Sequence, residues 1–177
     1  DLILGEIEGF VRKPKDWDIA TDAKPEEIQK LFEDTVYENE FGTVGVKTSS
    51  VDPSLKVIEV TTFRTESGYE DKRHPDEIKF MKTIEEDLSR RDFTINAMAL
   101  PLDTNQKPRT NNLNIIDPYD GEKDLKNKII RTVGNPTERF GEDALRLMRA
   151  VRLAAELNFS LEEKTKEAIK KQSHTLK

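Results

Sequence analysis

A chain of 177 residues with a formal net charge of −6 is long enough for one ordinary domain, or for one domain and part of a second. Hydrophobic residues make up 34% and charged residues 36%, enough for a single core under a strongly polar, soluble exterior. The absence of cysteine excludes a disulfide framework and a thiolate metal site and points to a reducing, cytoplasmic setting; no apolar run approaches the roughly 18 to 20 residues of a membrane span, and no signal peptide is visible.

In chain order, Asp16-Trp17-Asp18-Ile19-Ala20-Thr21 reads as a short strand, and Pro25 followed by Glu26 and Glu27 opens a helix. Thr43 to Lys47 and Leu55 to Phe63 are β-branched, alternating runs separated by Ser49, Ser50, Asp52 and Pro53, which predicts an antiparallel hairpin. From Thr65 to Pro75 the composition turns to Gly, Glu, Asp, Lys and Arg, the pattern of a mobile loop. Thr83-Ile84-Glu85-Glu86 has the form of a capping box for a helix through about Arg91. Gln106 to Asn114 reads as an exposed loop, Ile115-Ile116 and Ile129 to Val133 as strands, and Asp117-Pro118-Tyr119-Asp120-Gly121 as a turn before a helix. Everything past Gly134-Asn135-Pro136 is helical in pattern. The predicted class is therefore α+β: a small mixed sheet flanked by helices over residues 1–133, then the start of an all-helical unit over 134–177.

Two features carry chemistry. In an extended strand residues i and i+2 share a face, so Asp16 and Asp18 project together and Trp17 goes to the other side. Adjacent carboxylates repel unless a divalent cation neutralises both, and such a pair suits nucleotidyl transfer, where bound ions activate a hydroxyl and carry triphosphate charge. Alone, an Asp-x-Asp also fits a turn or cap. Glu59 interrupts the strand Val57-Ile58-Glu59-Val60-Thr61-Thr62-Phe63; it is either an edge-strand residue facing water or a third acid, which joins the first two if its strand pairs beside theirs.

The second feature is basic. Residues 1–130 hold 19 basic and 28 acidic residues (−9), whereas 131–177 hold 10 and 7 (+3), a gradient suited to a polyanion or simply to a solvated helix face. In Glu86-Asp87-Leu88-Ser89-Arg90-Arg91-Asp92-Phe93-Thr94-Ile95-Asn96-Ala97 an Arg beside an Asp can bind phosphate and a sugar hydroxyl together, or form ordinary ion pairs at a helix end. In Glu142 to Arg152, helical spacing places Ala144, Leu147, Met148, Val151, Ala154 and Ala155 on one face. Arg146, Arg149 and Arg152 form a ridge on the other, without matching acids one turn away, so the ridge faces solvent or holds an anion.

The combination resembles the tRNA nucleotidyltransferases (CCA-adding enzymes) and bacterial poly(A) polymerases, class II of the polymerase β superfamily. It rests on Lys15 to Thr21, Phe41-Gly42-Thr43-Val44, Glu59 to Arg64, Tyr69 with Asp71-Lys72-Arg73-His74-Pro75, Glu86 to Ala97, and Arg139-Phe140-Gly141-Glu142-Asp143 through Arg152, in family order across almost the whole chain. The resemblance implies a nucleotidyltransferase head followed by a neck. It implies Mg2+ on Asp16 and Asp18, Glu59 as third catalytic acid, Arg91 and Asp92 on the ribose with Asn96 in support, Asp143 and Arg146 on the base, and Arg149 and Arg152 on phosphate. The implied reaction is template-independent addition of C and A from CTP and ATP to tRNA 3' ends with release of pyrophosphate; poly(A) tailing or A addition is the alternative within the class.

One departure stands out. The family opens with Gly-Gly-x-Val-Arg-Asp, and here Asp1 stands where its last residue belongs, with Gly9-Phe10-Val11-Arg12 only a faint echo. The expectation is that the triphosphate-binding glycines, and any targeting segment, lie outside this chain, which raises a rival of another class: a non-catalytic RNA-binding remnant. His74, ahead of Pro75, is expected to shape the loop rather than to catalyse. The oligomeric state is open.

Overall fold

The computed structural model describes residues 5, 9, 14, 16–38, 42–68, 77–102 and 114–176. The chain forms two compact units, one of Asp1–Thr65 with Ile78–Asp87 and one of Glu66–Glu77 with Leu88–Lys177.

The first unit is built on a four-stranded sheet in the order β1-β4-β3-β2, with β1 Asp18–Thr21, β2 Thr35–Glu38, β3 Thr43–Lys47 and β4 Val57–Thr62. β3 and β4 are the expected antiparallel pair, whereas β1 runs parallel to β4. Helix α1, Pro25–Leu31, begins on Pro25, and its Glu27 carboxylate accepts from the Lys24 N–H at 2.8 Å. It packs Ile28 against Val44, Val46 and Val60, with Ile19, Ala23, Tyr37 and Ile58 at the margin. Strand alternation puts those residues on one face and leaves Asp18, Glu59 and Gly45 on the other. The sheet is thus mixed, with the acids on its open side. β2 was not foreseen, because Thr35-Val36-Tyr37-Glu38 is too short to stand out as a run and is held by its pairing to β3.

The expected loop from Thr65 is corrected at its start. Arg64–Ser67 is strand β5, paired with β6, Glu77–Phe80, because the Glu66 carboxylate that looked solvated is joined to Arg90 at 2.8 Å in a largely buried ion pair. Helix α2 spans Ile84–Ser89, and the Thr83 hydroxyl donates to the Glu86 carboxylate at 2.7 Å at its start.

In the second unit α3 is Gly121–Asn127, α4 Pro136–Glu142, α5 Leu145–Leu157 and α6 Glu163–Gln172, around a core that includes Leu88, Phe93, Ile130, Phe140 and Leu147. The turn read before α3 is present: Asp117 accepts from the N–H groups of Gly121 (2.7 Å) and Glu122 (2.9 Å). Two strand expectations shorten. Ile116 makes only an isolated bridge with Ala99. The run Ile129 to Val133 changes partner midway: β7, Ile129–Ile130, pairs in parallel with β8, Ser160–Leu161, while Thr94 donates to the Arg131 carbonyl at 2.9 Å and Val133 to the Asp92 carbonyl at 3.0 Å. Asn135 caps α4, its side-chain oxygen accepting from the Thr137 N–H at 2.9 Å.

Candidate functional site

In the first unit the parallel register sets Asp18 directly beside Glu59, two carboxylates on adjacent strands facing the same way. The pairing that the third acid required is therefore present. Glu59 is exposed, yet it sits on β4, an inner strand, so its exposure comes from the uncovered face of the sheet and not from an edge. Asp16 precedes β1 and is likewise exposed, and Trp17 between them remains 40% exposed instead of entering the core.

The second unit gathers the sugar candidates around one carboxylate. Asp92 is 9% exposed; its Oδ1 accepts from the Phe93 N–H at 2.9 Å and from the Asn96 side-chain amide at 3.3 Å, while its Oδ2 accepts from Arg149 Nε at 2.6 Å. Arg91 precedes it, and Arg139 ties down the chain just upstream, donating to the carbonyls of Ser89 (3.0 Å) and Arg90 (3.3 Å). Asn96 is thus tied to the Asp92 carboxylate.

Helix α5 departs from the helical-wheel reading in two ways. Its buried residues are Arg146, Leu147 and Ala150, while Met148 and Val151 are 57% and 47% exposed, so Arg146 lies on the covered side and part of the apolar stripe does not. The three arginines also have acidic partners: Arg146 bonds Glu142 at 2.5 Å and the Arg139 carbonyl at 3.2 Å, Arg149 bonds Asp92, and Arg152 lies 3.7 Å from Glu156. Glu142 and Glu156 stand four residues from their arginines, the spacing of ion pairs along a helix. Asp143 accepts from the Leu145 N–H at 2.8 Å through Oδ1 and from the Arg146 N–H at 3.1 Å through its carbonyl, just ahead of α5. Asp1, Arg12, Phe41, Tyr69 and Asp71 to Pro75, His74 included, lie outside the described residues.

Residues 1–131 match the family model described as the poly A polymerase head domain. The chain belongs to that family. It is 53% identical over 162 residues to the CCA-adding enzyme of Ligilactobacillus salivarius, covering 91% of this chain and 37% of that protein. It is 47% identical over 162 residues to the CCA-adding enzyme of Bacillus subtilis, with the same coverage of 91% and 37%. Among solved structures, the Bacillus stearothermophilus CCA-adding enzyme in complex with CTP matches with a TM-score of 0.73 and 38% identity, over 94% of this chain and 36% of that one. A tRNA nucleotidyltransferase complexed with a primer tRNA and an incoming ATP analog matches with a TM-score of 0.69 and 28% identity, over 98% and 45%. The chain thus spans less than half the length of these relatives. The head fold expected from the resemblance is the one found.

Asp18 and Glu59, side by side in the register, present hard carboxylate oxygens of the kind magnesium takes. Among the described residues no group of three or more His, Cys, Asp or Glu is arranged to hold a metal by itself. Magnesium, however, is commonly bound through one or two carboxylates with substrate phosphates and waters completing the octahedron, and an exposed pair on an open sheet face fits that use. Among the described residues no helix is long and apolar enough to cross a membrane.

Proposed function

We propose that this chain supplies the catalytic head (residues 1–133) and the beginning of the neck (134–177) of a cytoplasmic, Mg2+-dependent tRNA nucleotidyltransferase that adds C and A to tRNA 3' ends from CTP and ATP. The observation that carries the reading is Asp18 beside Glu59 on the open face of a sheet, in a chain half identical to a CCA-adding enzyme. Asp16 and Asp18 would hold the magnesium ion, which when bound would neutralise triphosphate charge and make the 3'-hydroxyl easier to deprotonate. Glu59, carried on the adjoining strand, is the third acid and takes part in accepting the hydroxyl proton. The new bond joins the 3'-oxygen to the α-phosphorus, and pyrophosphate leaves.

Arg91 and Asp92 bind the ribose, with Asn96 fixing the Asp92 carboxylate by the amide contact already described. Arg149 neutralises Asp92, which lets that carboxylate accept a sugar hydroxyl without repelling the polyphosphate; Arg149 and Arg152 serve phosphate. Asp143 and Arg146 read the base, an acceptor and a forked donor matched to a Watson-Crick edge, with each bidentate match discriminating by roughly 1 to 3 kcal/mol. For that, Arg146 exchanges Glu142 for the nucleotide.

The test is incubation of the natural polypeptide that contains these 177 residues with tRNA lacking its CCA end, Mg2+, and labelled CTP and ATP, singly and together. Ordered incorporation of C and then A is expected. Runs of A from ATP alone would assign poly(A) tailing instead, and no incorporation of any nucleotide would remove the enzymatic reading.

A further inference from the structure

Beneath the sugar candidates lies a buried polar junction that the proposed reaction does not use. Asp124, on α3, is wholly buried, and a carboxylate is costly to bury unless fully partnered. Its Oδ2 accepts from the Thr94 hydroxyl at 2.7 Å and from Arg131 Nε at 2.9 Å, and its Oδ1 from Arg131 Nη2, so the guanidinium grips it with two parallel bonds. Asp124 raises the pKa of Arg131 above its ordinary value through that hydrogen bond, partly opposed by desolvation, so the cation persists at any working pH.

What the junction holds is the main chain that presents Asp92 and Asn96. Thr94 opens the tight turn Thr94–Asn96, and it is held twice: its side chain by Asp124 and its N–H by the Arg131 carbonyl at 2.9 Å. Arg131 therefore acts on Thr94 twice, directly through its carbonyl and through its guanidinium by way of Asp124. From the other side Gly121, at the start of α3, presses on the Thr94 carbonyl so closely that even a methyl group would have no room there. Asp92 precedes the turn by two residues and Asn96 closes it, so a shift of Thr94 moves both.

We propose that Asp124 and Arg131 are positioning residues for sugar recognition: by locking Thr94 they set the Asp92 and Asn96 groups against the ribose hydroxyls and so create the preference for ribonucleotide over 2'-deoxynucleotide. The proposal rests on the assignment of Asp92 and Asn96 to the sugar. A 2'-hydroxyl is both donor and acceptor, and a site built to bond it discriminates only while its partners keep their geometry.

The experiment measures the affinity of the natural polypeptide that contains this chain for CTP and for 2'-deoxy-CTP in Mg2+ by calorimetry, with Thr94→Val, Asp124→Asn, Arg131→Lys and Asp92→Asn. Thr94→Val and Asp124→Asn are expected to narrow the CTP to 2'-deoxy-CTP affinity ratio about fivefold or more, the worth of one ordinary hydrogen bond, through weaker CTP binding alone. Arg131→Lys, which keeps the charge and loses the fork, is expected to fall between them and the unsubstituted chain. Thr94→Val removes one hydroxyl and leaves the ion pair, so it keeps the test readable where Asp124→Asn fails to fold. Equal weakening of both nucleotides, or an unchanged ratio in Thr94→Val while Asp92→Asn narrows it, would overturn the positioning role and leave the sugar assignment standing. An unchanged ratio in Asp92→Asn would remove the sugar assignment and the proposal with it.

Discussion

Replacing Gly121 by Ala is expected to destabilise the second unit, although Gly-to-Ala in a helix ordinarily helps. The added Cβ would stand 2.3 Å from the Thr94 carbonyl oxygen and 2.9 Å from Met98 Cγ and Sδ. Even a close C···O contact needs about 3.3 Å, so helix or turn must give by about 1 Å. Neither is free to do so: Asp117 holds the helix start through two N–H bonds, and Asp124 holds Thr94. Overpacking of this kind costs about 1 to 3 kcal/mol, more than the roughly 0.4 to 1 kcal/mol gained from a stiffer unfolded chain. The net loss is about 0.5 to 2 kcal/mol, so at about 2 to 4 °C per kcal/mol Tm is expected to fall by about 1 to 8 °C, followed by circular dichroism on heating. Gly141, in α4, has nothing within 4 Å of its notional Cβ, and Gly141→Ala is the control, expected to be neutral or slightly stabilising. If Gly121→Ala matched Gly141→Ala in Tm, the close approach of α3 to the Thr94 turn would be wrong.

Two further outcomes test other parts of the structure. Leu147→Ala is expected to cost about 2 to 5 kcal/mol in urea denaturation and Met148→Ala less than about 0.5 kcal/mol, since the first is buried and the second largely exposed; comparable costs would restore the helical-wheel assignment of α5. Arg149→Ala strips the largely buried Asp92 of its cation, and because Arg149 is half exposed the loss is screened to about 1 kcal/mol. CTP binding should weaken alongside, and tighter CTP binding would count against Arg149 as the neutralising partner of Asp92.

The sheet was readable because its signals are local: alternation in Thr43 to Lys47 and in Val57 to Thr62 marks strands whichever elements they pack on. Glu59 stood out for the same reason, as a charge in an apolar run, although only pairing could say which acid it would neighbour. Misreadings arose where a distant residue decides the outcome. Thr65-Glu66-Ser67 looks like loop until Arg90 takes up Glu66, and Ile129 to Val133 looks like one strand until its two ends find separate partners. Composition alone cannot mark Asp124 as buried, because its three hydrogen bonds come from residues 30 positions upstream and seven downstream. The partners of Arg146 and Arg152, by contrast, are legible in the sequence at four-residue spacing, whereas that of Arg149 is the distant Asp92.

The acids on the open sheet face are tested most directly by replacing Asp18 with Asn in the natural polypeptide and measuring, side by side, CMP incorporation into tRNA lacking its CCA end and equilibrium binding of that tRNA. Because Asp18 is exposed and makes no part of the core, stability should change by less than about 0.5 kcal/mol. Incorporation is expected to fall by about a hundredfold or more, the scale on which loss of a single group stabilising transition-state charge is felt, with tRNA affinity retained. Undiminished incorporation would contradict the role given to this carboxylate and, with it, the nucleotidyltransferase mechanism.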